Sequence, residues 1–236
     1  EHNPHFLMAG KTDSGKSFFG LRPLIAAALA AGWQVAIFDK HGVDFARFAP
    51  YAYVKTVGTA PERAIEYLEA LYYLVVERQR MLVEAGVNTW GRLPDADPRV
   101  LAVFDEFGNL ADSLDSKTRK DLWRYARMIA NEGRKSGVHL AIAVQNPTWE
   151  SCDIRIRRSM TPFAFHVQDQ VASRVVIDVP GAETLPAGQF LAGLHTGLVR
   201  GVGFRFGDAY LSAWLAGRGI PRLPPPPRWI TAVDGQ

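Results

Sequence analysis

A short stretch near the start of the chain has the residue types and spacing of a phosphate-binding loop. Residues 10–17 read GKTDSGKS and fit the pattern G-x-x-x-x-G-K-[ST]. Because Gly10 and Gly15 lack a Cβ, the backbone can turn sharply and bring its N–H groups close to an anion. In this pattern Lys16 reaches the β- and γ-phosphates, and the hydroxyl of Ser17 ligates Mg²⁺. The stretch therefore predicts a nucleotide and magnesium site.

The segments that flank this loop favour a strand before it and a helix after it, as the pattern requires. HFLMAG supplies a short apolar run, and residues 17–32 have a helical pattern that ends in glycine. The positive N-terminal end of that helix would face the phosphates. We expect Pro23 to kink the helix slightly and Gly32 to cap it. The alternative is a surface turn that matches the pattern by chance, but such a turn would not need a strand before it and a helix after it. The expected nucleotide contacts are Gly10, Lys11, Thr12, Asp13, Ser14, Gly15, Lys16, Ser17 and Phe18.

Two adjacent acids follow the clearest strand pattern in the chain. Residues 100–110 read VLAVFDEFGNL, which places Asp105 and Glu106 directly after an apolar run. In phosphate-loop ATPases the first acid positions Mg²⁺, and the second can polarise the attacking water as a general base. Gln145 follows the next apolar run, where its amide would reach the γ-phosphate or the water. A solvated acidic pair is the alternative, but two acids beside a phosphate loop favour ATP hydrolysis.

Apolar runs alternate with helical spacing along the chain, and this alternation predicts an α/β fold. We expect a mostly parallel central sheet with helices on both faces, and ligands at the carboxyl ends of its strands. The tail has four consecutive prolines and no core pattern, so we expect one domain over 1–220 and a Pro-rich extension over 221–236. Strands are expected at 34–39, 51–58, 99–107, 138–147 and 161–169, a hairpin within 188–204, and helices at 61–85, 115–137 and 207–219.

Bulk composition excludes several classes of protein. A hydrophobic content of 47% suffices for a packed core, and a net charge of +3 permits nucleic-acid binding without requiring it. The single cysteine, Cys152, excludes an intrachain disulfide framework and fits a reducing compartment. No apolar run is long enough to cross a bilayer, and no signal peptide is visible. We therefore expect a cytoplasmic protein. Because the sequence opens on Glu1, we also expect that the chain has been trimmed. Domains missing from it would allow a tether to a membrane.

Four blocks of sequence resemble the motor domain of the FtsK/HerA group of DNA translocases, a RecA-like phosphate-loop NTPase. A fifth block, from FHVQDQ to GAETLPAGQFL, is similar to a later stretch of that family in order and spacing. The likeness covers residues 5–220. The four blocks are AGKTDSGKSF, ERQRMLVEAGVNTWGRLP, VLAVFDEFGNL and ANEGRKSGVHLAIAVQNP.

The resemblance implies roles for individual residues and an assembly. Lys16 and Ser17 match the phosphate and Mg²⁺ residues, Asp105 and Glu106 the metal-positioning and catalytic acids, and Gln145 the polar sensor. Arg134 matches an arginine finger that acts on a neighbouring subunit, and this role implies a ring, which we expect to be a hexamer. Its alternative role is a helix C-terminal charge that complements the helix dipole.

The resemblance further implies that two loops face double-stranded DNA, one after Pro147 and one around residues 166–174. Basic side chains there would contact phosphates without regard to base sequence. A solvated basic surface is the alternative. Asn146, Pro162 and Gln170 replace residues that are basic in the family, so the grip on DNA is expected to differ in detail. The candidate DNA contacts are Arg155, Arg157, Arg158 and Arg174.

Three functions remain open at this point. The first is an ATP-hydrolysing ring that translocates double-stranded DNA. The second is a conjugative coupling or secretion ATPase that moves DNA or protein between cells. The third is a module that binds ATP and assembles without pumping, against which Glu106 and Arg134 argue because a gate needs neither a base nor a finger.

Overall fold

The computed structural model describes residues 5–149 and 154–235, and its centre is one eight-stranded sheet. The strands lie in the order β3-β2-β4-β5-β1-β6-β7-β8. All neighbouring pairs from β3 to β6 are parallel, and the β6–β7 and β7–β8 pairs are antiparallel. The strands are β1 Phe6–Ala9, β2 Gln34–Asp39, β3 Tyr53–Thr56, β4 Val100–Phe104, β5 Val138–Val144, β6 Thr161–Ala164, β7 Gln189–Leu194 and β8 Gly197–Val202.

Eight α-helices accompany these strands in the described residues. Asp115 caps α4 by accepting hydrogen bonds from the backbone N–H groups of Lys117 and Thr118, and Gly32 follows α1 with a left-handed φ of 75°. The helices are α1 Arg22–Ala30, α2 Glu62–Glu84, α3 Phe107–Asp112, α4 Ser116–Glu132, α5 Ile154–Arg157, α6 Gln170–Ile177, α7 Asp208–Gly217 and α8 Arg228–Asp234.

Helices cover both faces of the sheet, as the alternating pattern predicts. Successive side chains of a strand point to opposite faces, and in β4 Ala102 packs into one core while Leu101 and Val103 pack into the other. The first core also contains buried side chains of α2, α3, α4 and α8, and the second contains those of α1 and α7. The prediction of a mostly parallel sheet between two helical layers is therefore confirmed.

The structure differs from the sequence-based expectation at three short elements. Helix α3 begins soon after β4, and helix α6 begins after a short loop that follows β6, where we expected continuing strand or loop. The apolar runs before these helices hide the change of period. The phosphate loop continues into a π-helical turn, Lys16–Leu21, before α1 begins. Pro23 then lies in the first turn of α1, within one continuous helical stretch that begins at Lys16.

The expectation that the tail has no core pattern is wrong. Its last residues form α8, which packs on α2 and buries Trp229, Ile230 and Val233. Lys55 donates a 2.5 Å hydrogen bond to Asp234, and Tyr67 donates to the same carboxylate. Seven residues are too short for a periodic signal, and the prolines before them conceal the helix.

None of the helices in the described ranges is both long enough and apolar enough to span a bilayer.

Candidate nucleotide site

Four strands end at one edge of the sheet, and each delivers a candidate site residue there. Gly10 follows β1, Asp39 ends β2, Asp105 follows β4 and Gln145 follows β5. These four strands are adjacent and parallel, so their carboxyl ends share one rim. This edge is where open α/β sheets bind ligands.

The phosphate loop has the tight geometry that its glycines predict. A Cβ on Gly10 would lie 2.6 Å from Ser14 Oγ, and a Cβ on Gly15 would lie 2.9 Å from the backbone nitrogen of Gly188. Gly15 has a φ of 91°, and Asp13 also adopts a left-handed φ, of 62°. The short polar side chain of Asp13 tolerates this conformation at a modest cost.

Lys16 and Asp105 form a buried ion pair in the centre of the site. The Nζ atom of Lys16 lies 3.2 Å from Oδ1 of Asp105, and both residues are almost inaccessible to solvent. The same carboxylate oxygen accepts a hydrogen bond of 3.0 Å from the backbone N–H of Glu106. Partners 89 positions apart in sequence are thus joined, as the phosphate-loop interpretation requires.

Glu106 has a strained backbone and a carboxylate surrounded by donors. Its φ of 52° is a conformation that costs a non-glycine residue about 1–2 kcal/mol, and such strain tends to occur at functional sites. Gln145 Nε2 donates to one carboxylate oxygen, and Asn109 Nδ2 donates to the other at 3.3 Å. Lys40 Nζ lies 3.9 Å from that second oxygen. The side chain is held at the rim and is only partly exposed, with 18% of its surface accessible.

A cavity of about 580 Å³ opens beside these groups. This volume lies within the range of roughly 300–1,000 Å³ that small-molecule sites occupy. Residues 11–19 line the cavity together with Glu106 and Gln145. The wall also includes Asp44, Ala187 and Arg205, which the sequence analysis did not identify. Burial, followed by the charges of Asp105 and Asp39, raises the pKa of the Asp44 carboxyl.

Contacts between distant segments of the chain position Asp44, Ala187 and Arg205 in the wall of the cavity. Gly188 donates to the carbonyl of Ser14, and Phe206 donates to that of Phe18, so the segments around β7 and β8 lie against the phosphate loop. The buried guanidinium of Arg22 donates to Asp44 O at 2.7 Å and to Asp208 Oδ1 at 2.7 Å. No local sequence pattern marks contacts across such separations.

The residues of this cavity fit a magnesium-bound nucleoside triphosphate. Gly10 and Gly15 allow a tight backbone turn that a Cβ would obstruct, and the buried hydroxyl of Ser14 has no hydrogen-bond partner within the described residues. A phosphate oxygen would satisfy that donor, and Lys16 supplies the positive charge that a triphosphate needs. The Ser17 hydroxyl and the Asp105 carboxylate are the oxygen ligands that Mg²⁺ prefers.

Arg134 lies away from this cavity. It is exposed in the turn between α4 and β5, at the amino ends of the strands, whereas the phosphate loop lies at their carboxyl ends. His5, which precedes β1, is a neighbour: burial, His139 and Arg134 together lower its pKa to about 3. Arg134 therefore does not reach the nucleotide cavity of its own chain.

The four candidate DNA contacts separate into two groups. Arg155, Arg158 and Arg174 are exposed. Arg157 is buried, and its guanidinium donates to the carbonyls of Arg174 and Val175 and lies 2.9 Å from Asp178. Arg157 thus holds the end of α6 and does not present its charge to solvent, which corrects its assignment as a DNA contact. The predicted loop after Pro147 includes residues 150–153, which lie outside the described residues, as does Cys152.

Comparison with known proteins identifies several that are similar to this chain in sequence. A profile of the FtsK/SpoIIIE family matches residues 1–97. DNA translocase FtsK of Helicobacter pylori strain J99 is 29% identical over 196 residues, and DNA translocase SftA of Bacillus subtilis is 28% identical over 196 residues. Each match covers 77% of this chain, which spans only 23% of the first relative and 20% of the second.

Solved structures with this fold include a conjugation coupling protein and a secretion ATPase. The pCW3 conjugation coupling protein TcpA, solved with ATPγS, has a TM-score of 0.78 and 29% identity, with 92% of this chain and 65% of that chain covered. The cytoplasmic domain of the type VII secretion ATPase EccC from Thermomonospora curvata has a TM-score of 0.75 and 23% identity, covering 95% of this chain and 30% of that one. In sequence this chain is similar to members of the FtsK/SpoIIIE family, and in fold it is similar to TcpA and EccC.

Proposed function

We propose that this chain is the motor of an ATP-hydrolysing ring that translocates double-stranded DNA. The observation that carries this proposal is the convergence of Lys16, Asp105, Glu106 and Gln145 on the rim of one cavity beside the phosphate loop. The similarity to DNA translocases supports DNA as the substrate. Residues 1–220 carry the motor parts in this proposal, with α8 as a structural support, and the protein works in the cytoplasm.

The described side chains suggest how hydrolysis proceeds. Lys16 exchanges its contact with Asp105 for the β- and γ-phosphates, which frees the Asp105 carboxylate. Mg²⁺, held by Ser17 and Asp105, would neutralise charge on the phosphates. Glu106 takes a proton from a water molecule that Gln145 helps to orient. The water oxygen bonds to the γ-phosphorus as the bond to ADP breaks, and the phosphate is released.

A neighbouring subunit completes the site in this proposal. Arg134 is exposed and lies at the edge of the sheet opposite its own cavity. A ring of subunits, six in the proposal, would set this guanidinium against the γ-phosphate of the next chain. A cation there stabilises the charge that develops during phosphoryl transfer.

The decisive experiment compares ATP hydrolysis with and without duplex DNA, and then measures displacement of a third strand from a triplex. We expect duplex DNA to stimulate hydrolysis severalfold and the third strand to be removed only with ATP. Lys16→Ala is the control, because it removes the phosphate contact. An equal rate of hydrolysis with and without duplex DNA, together with no displacement of the third strand, would contradict the proposal.

A conjugative coupling or secretion role is the second candidate, favoured by the structural likeness to TcpA at 29% identity. It predicts DNA-stimulated hydrolysis without processive strand displacement by the isolated chain. An assembly module that only binds ATP predicts oligomers with nucleotide and negligible turnover. The same two assays therefore separate all three functions.

A further inference from the structure

Helix α4 carries a second strongly basic surface that shares no residue with the nucleotide cavity. It forms one side of a groove of about 370 Å³, and Arg155 of α5 forms the other. Five basic side chains line this groove against one acidic side chain, Asp121, and the indole of Trp123 completes the wall. The basic residues are Arg119, Lys120, Arg124, Arg127 and Arg155.

Part of this charge is not neutralised by ion pairs within the described residues. Arg124 pairs with Asp121 at 3.3 Å, and Arg119 lies 4.0 Å from Asp112, both in largely solvent-exposed pairs. Such exposed pairs contribute little, about 0–1 kcal/mol, and leave the cations free to exchange partners. Within the described residues, Lys120 and Arg127 have no ion pair or side-chain hydrogen bond. The groove therefore has a net positive field that an anion would reduce.

The groove is long enough for several phosphates. Lys120 and Arg127 are seven positions apart on one helix, a rise of about 10 Å at 1.5 Å per residue. One strand of duplex DNA carries a phosphate about every 3.4 Å along its axis. A row of cations of this length matches about three successive phosphates of a strand, which favours a polyanion over a single small ion.

The groove is held in place and lies close to the catalytic acid. Ser159 donates to Asn131 at the end of α4, which fixes α5 against that helix. Trp123 in the groove wall packs edge-on against Phe107 with ring centroids 4.7 Å apart. Phe107 directly follows Glu106 in sequence. Contacts in the groove are thus one aromatic pair away from the proposed general base.

We propose that the α4–α5 groove binds the phosphate backbone of duplex DNA and is a contact surface separate from the loops around residues 147–153 and 166–174. This inference rests on the proposed function, since it names a further surface for the same substrate. It assigns Lys120 and Arg127 to DNA, although no sequence motif marks these two residues. Arg155, already a candidate DNA contact from the sequence, lies in the same groove.

The test measures duplex DNA affinity as a function of salt for wild type and for the double variant Lys120→Gln, Arg127→Gln. Each phosphate contact contributes about 0.9 to the slope of log affinity against log salt, so we expect the slope to become shallower by about 1.8. Affinity at 0.1 M salt should fall roughly tenfold or more. Basal ATP hydrolysis should not change, because neither side chain lines the nucleotide cavity.

A matched double variant, Arg80→Gln with Arg92→Gln, removes the same total charge from exposed positions outside the groove and should keep the wild-type slope. If wild type binds duplex DNA and the groove variant keeps its slope, the groove assignment is overturned and the proposed function stands. If wild type does not bind duplex DNA at all, both are overturned. Binding of wild type to phosphatidylglycerol vesicles instead of DNA, lost in the groove variant, would assign the surface to a membrane and also overturn the inference.

Discussion

At the scale of single residues, the site depends on two neighbouring acids with different surroundings. Asp105 is buried and paired with Lys16, whereas Glu106 is partly exposed and accepts hydrogen bonds from Gln145 and Asn109. A buried acid beside a lysine suits metal positioning, and an acid at the rim can reach water. The left-handed backbone of Glu106 turns the two side chains in different directions.

Glu106→Gln should lower the turnover number for ATP by about 10²–10⁴-fold and leave nucleotide affinity within a few-fold. The amide keeps the size of the side chain and a hydrogen bond with Gln145, but it cannot accept a proton at neutral pH. Single-turnover hydrolysis and binding of a fluorescent ATP analogue measure the two quantities. Turnover at the wild-type rate would exclude Glu106 as the base.

Lys16→Ala should abolish detectable ATP binding, since it removes the cation that faces the triphosphate. It also leaves the Asp105 carboxylate buried without its partner, which costs a further 3–5 kcal/mol or so in comparable cases. Calorimetric titration with ATP and chemical unfolding measure these effects. Lys117→Ala is a control, because Lys117 is an exposed lysine in the first turn of α4 that does not line the nucleotide cavity. Equal ATP affinity in wild type and Lys16→Ala would contradict the assignment.

At the scale of elements, α8 shows that the proline-rich tail is part of the packed structure. Tyr53 donates to the carbonyls of Pro224 and Pro225, at 2.9 Å each, and this fixes the approach to the helix. Burial, together with the contact to Asp234, raises the pKa of Tyr67 to about 12. The tail therefore closes one end of the core that α2 and the sheet enclose.

Ile230→Ala should destabilise the protein by about 2–5 kcal/mol, because it empties a fully buried site between α8 and α2. Thr231→Ala changes the next residue, which is exposed, and should alter stability by no more than about 0.5 kcal/mol. Urea unfolding of both variants gives the comparison. Equal stability of the two would mean that the tail helix does not pack on the domain in solution.

At the scale of the whole molecule, the two edges of the sheet carry different parts of the proposed machine. The carboxyl edge holds the nucleotide cavity, and the amino edge holds Arg134 beside His5 and the buried His139. A single chain cannot bring these edges together. Turnover in this proposal is therefore a property of the assembly.

Arg134→Ala alone should eliminate most turnover and leave ATP binding intact. Mixed with Glu106→Gln, it should recover part of the activity, because some interfaces would combine an intact Glu106 with an intact Arg134 from the neighbour. Steady-state hydrolysis across mixing ratios measures this complementation. Normal hydrolysis by Arg134→Ala, or no recovery on mixing, would remove the support for a finger that acts between subunits.

Acid should destabilise the whole fold through its buried histidines. Burial, then the charges of Arg99 and Arg78, lowers the pKa of His139 to about 4. The unfolded chain binds this proton near pH 6.5 and the folded chain only near 4, so stability is fully present above pH 6.5 and is lost as pH falls toward 4. By this linkage, His139 lowers the free energy of unfolding by about 2 kcal/mol at pH 5 relative to pH 8.

His139→Phe should remove this loss of stability at low pH. The free energy of unfolding of the variant, compared with that of wild type, should therefore be higher at pH 5 than at pH 8. The ring stacks on Trp33 with centroids 4.5 Å apart, and its two nitrogens have no hydrogen-bond partner within the described residues, so phenylalanine fits the same surroundings. Urea unfolding at the two pH values measures the difference. An identical pH dependence in both proteins would show that His139 does not titrate as described.

The sequence alone determined the parts of this protein that depend on local spacing. The phosphate loop, the acids after β4, Gln145 after β5 and the alternation of strands with helices all follow from neighbouring residues, because backbone period and side-chain chemistry act over a few positions. Only the tertiary structure decided that Arg157 turns inward, that the tail packs on α2, and that Asp44 and Arg205 line the nucleotide cavity. Those outcomes depend on contacts between segments far apart in the chain, which no local pattern encodes.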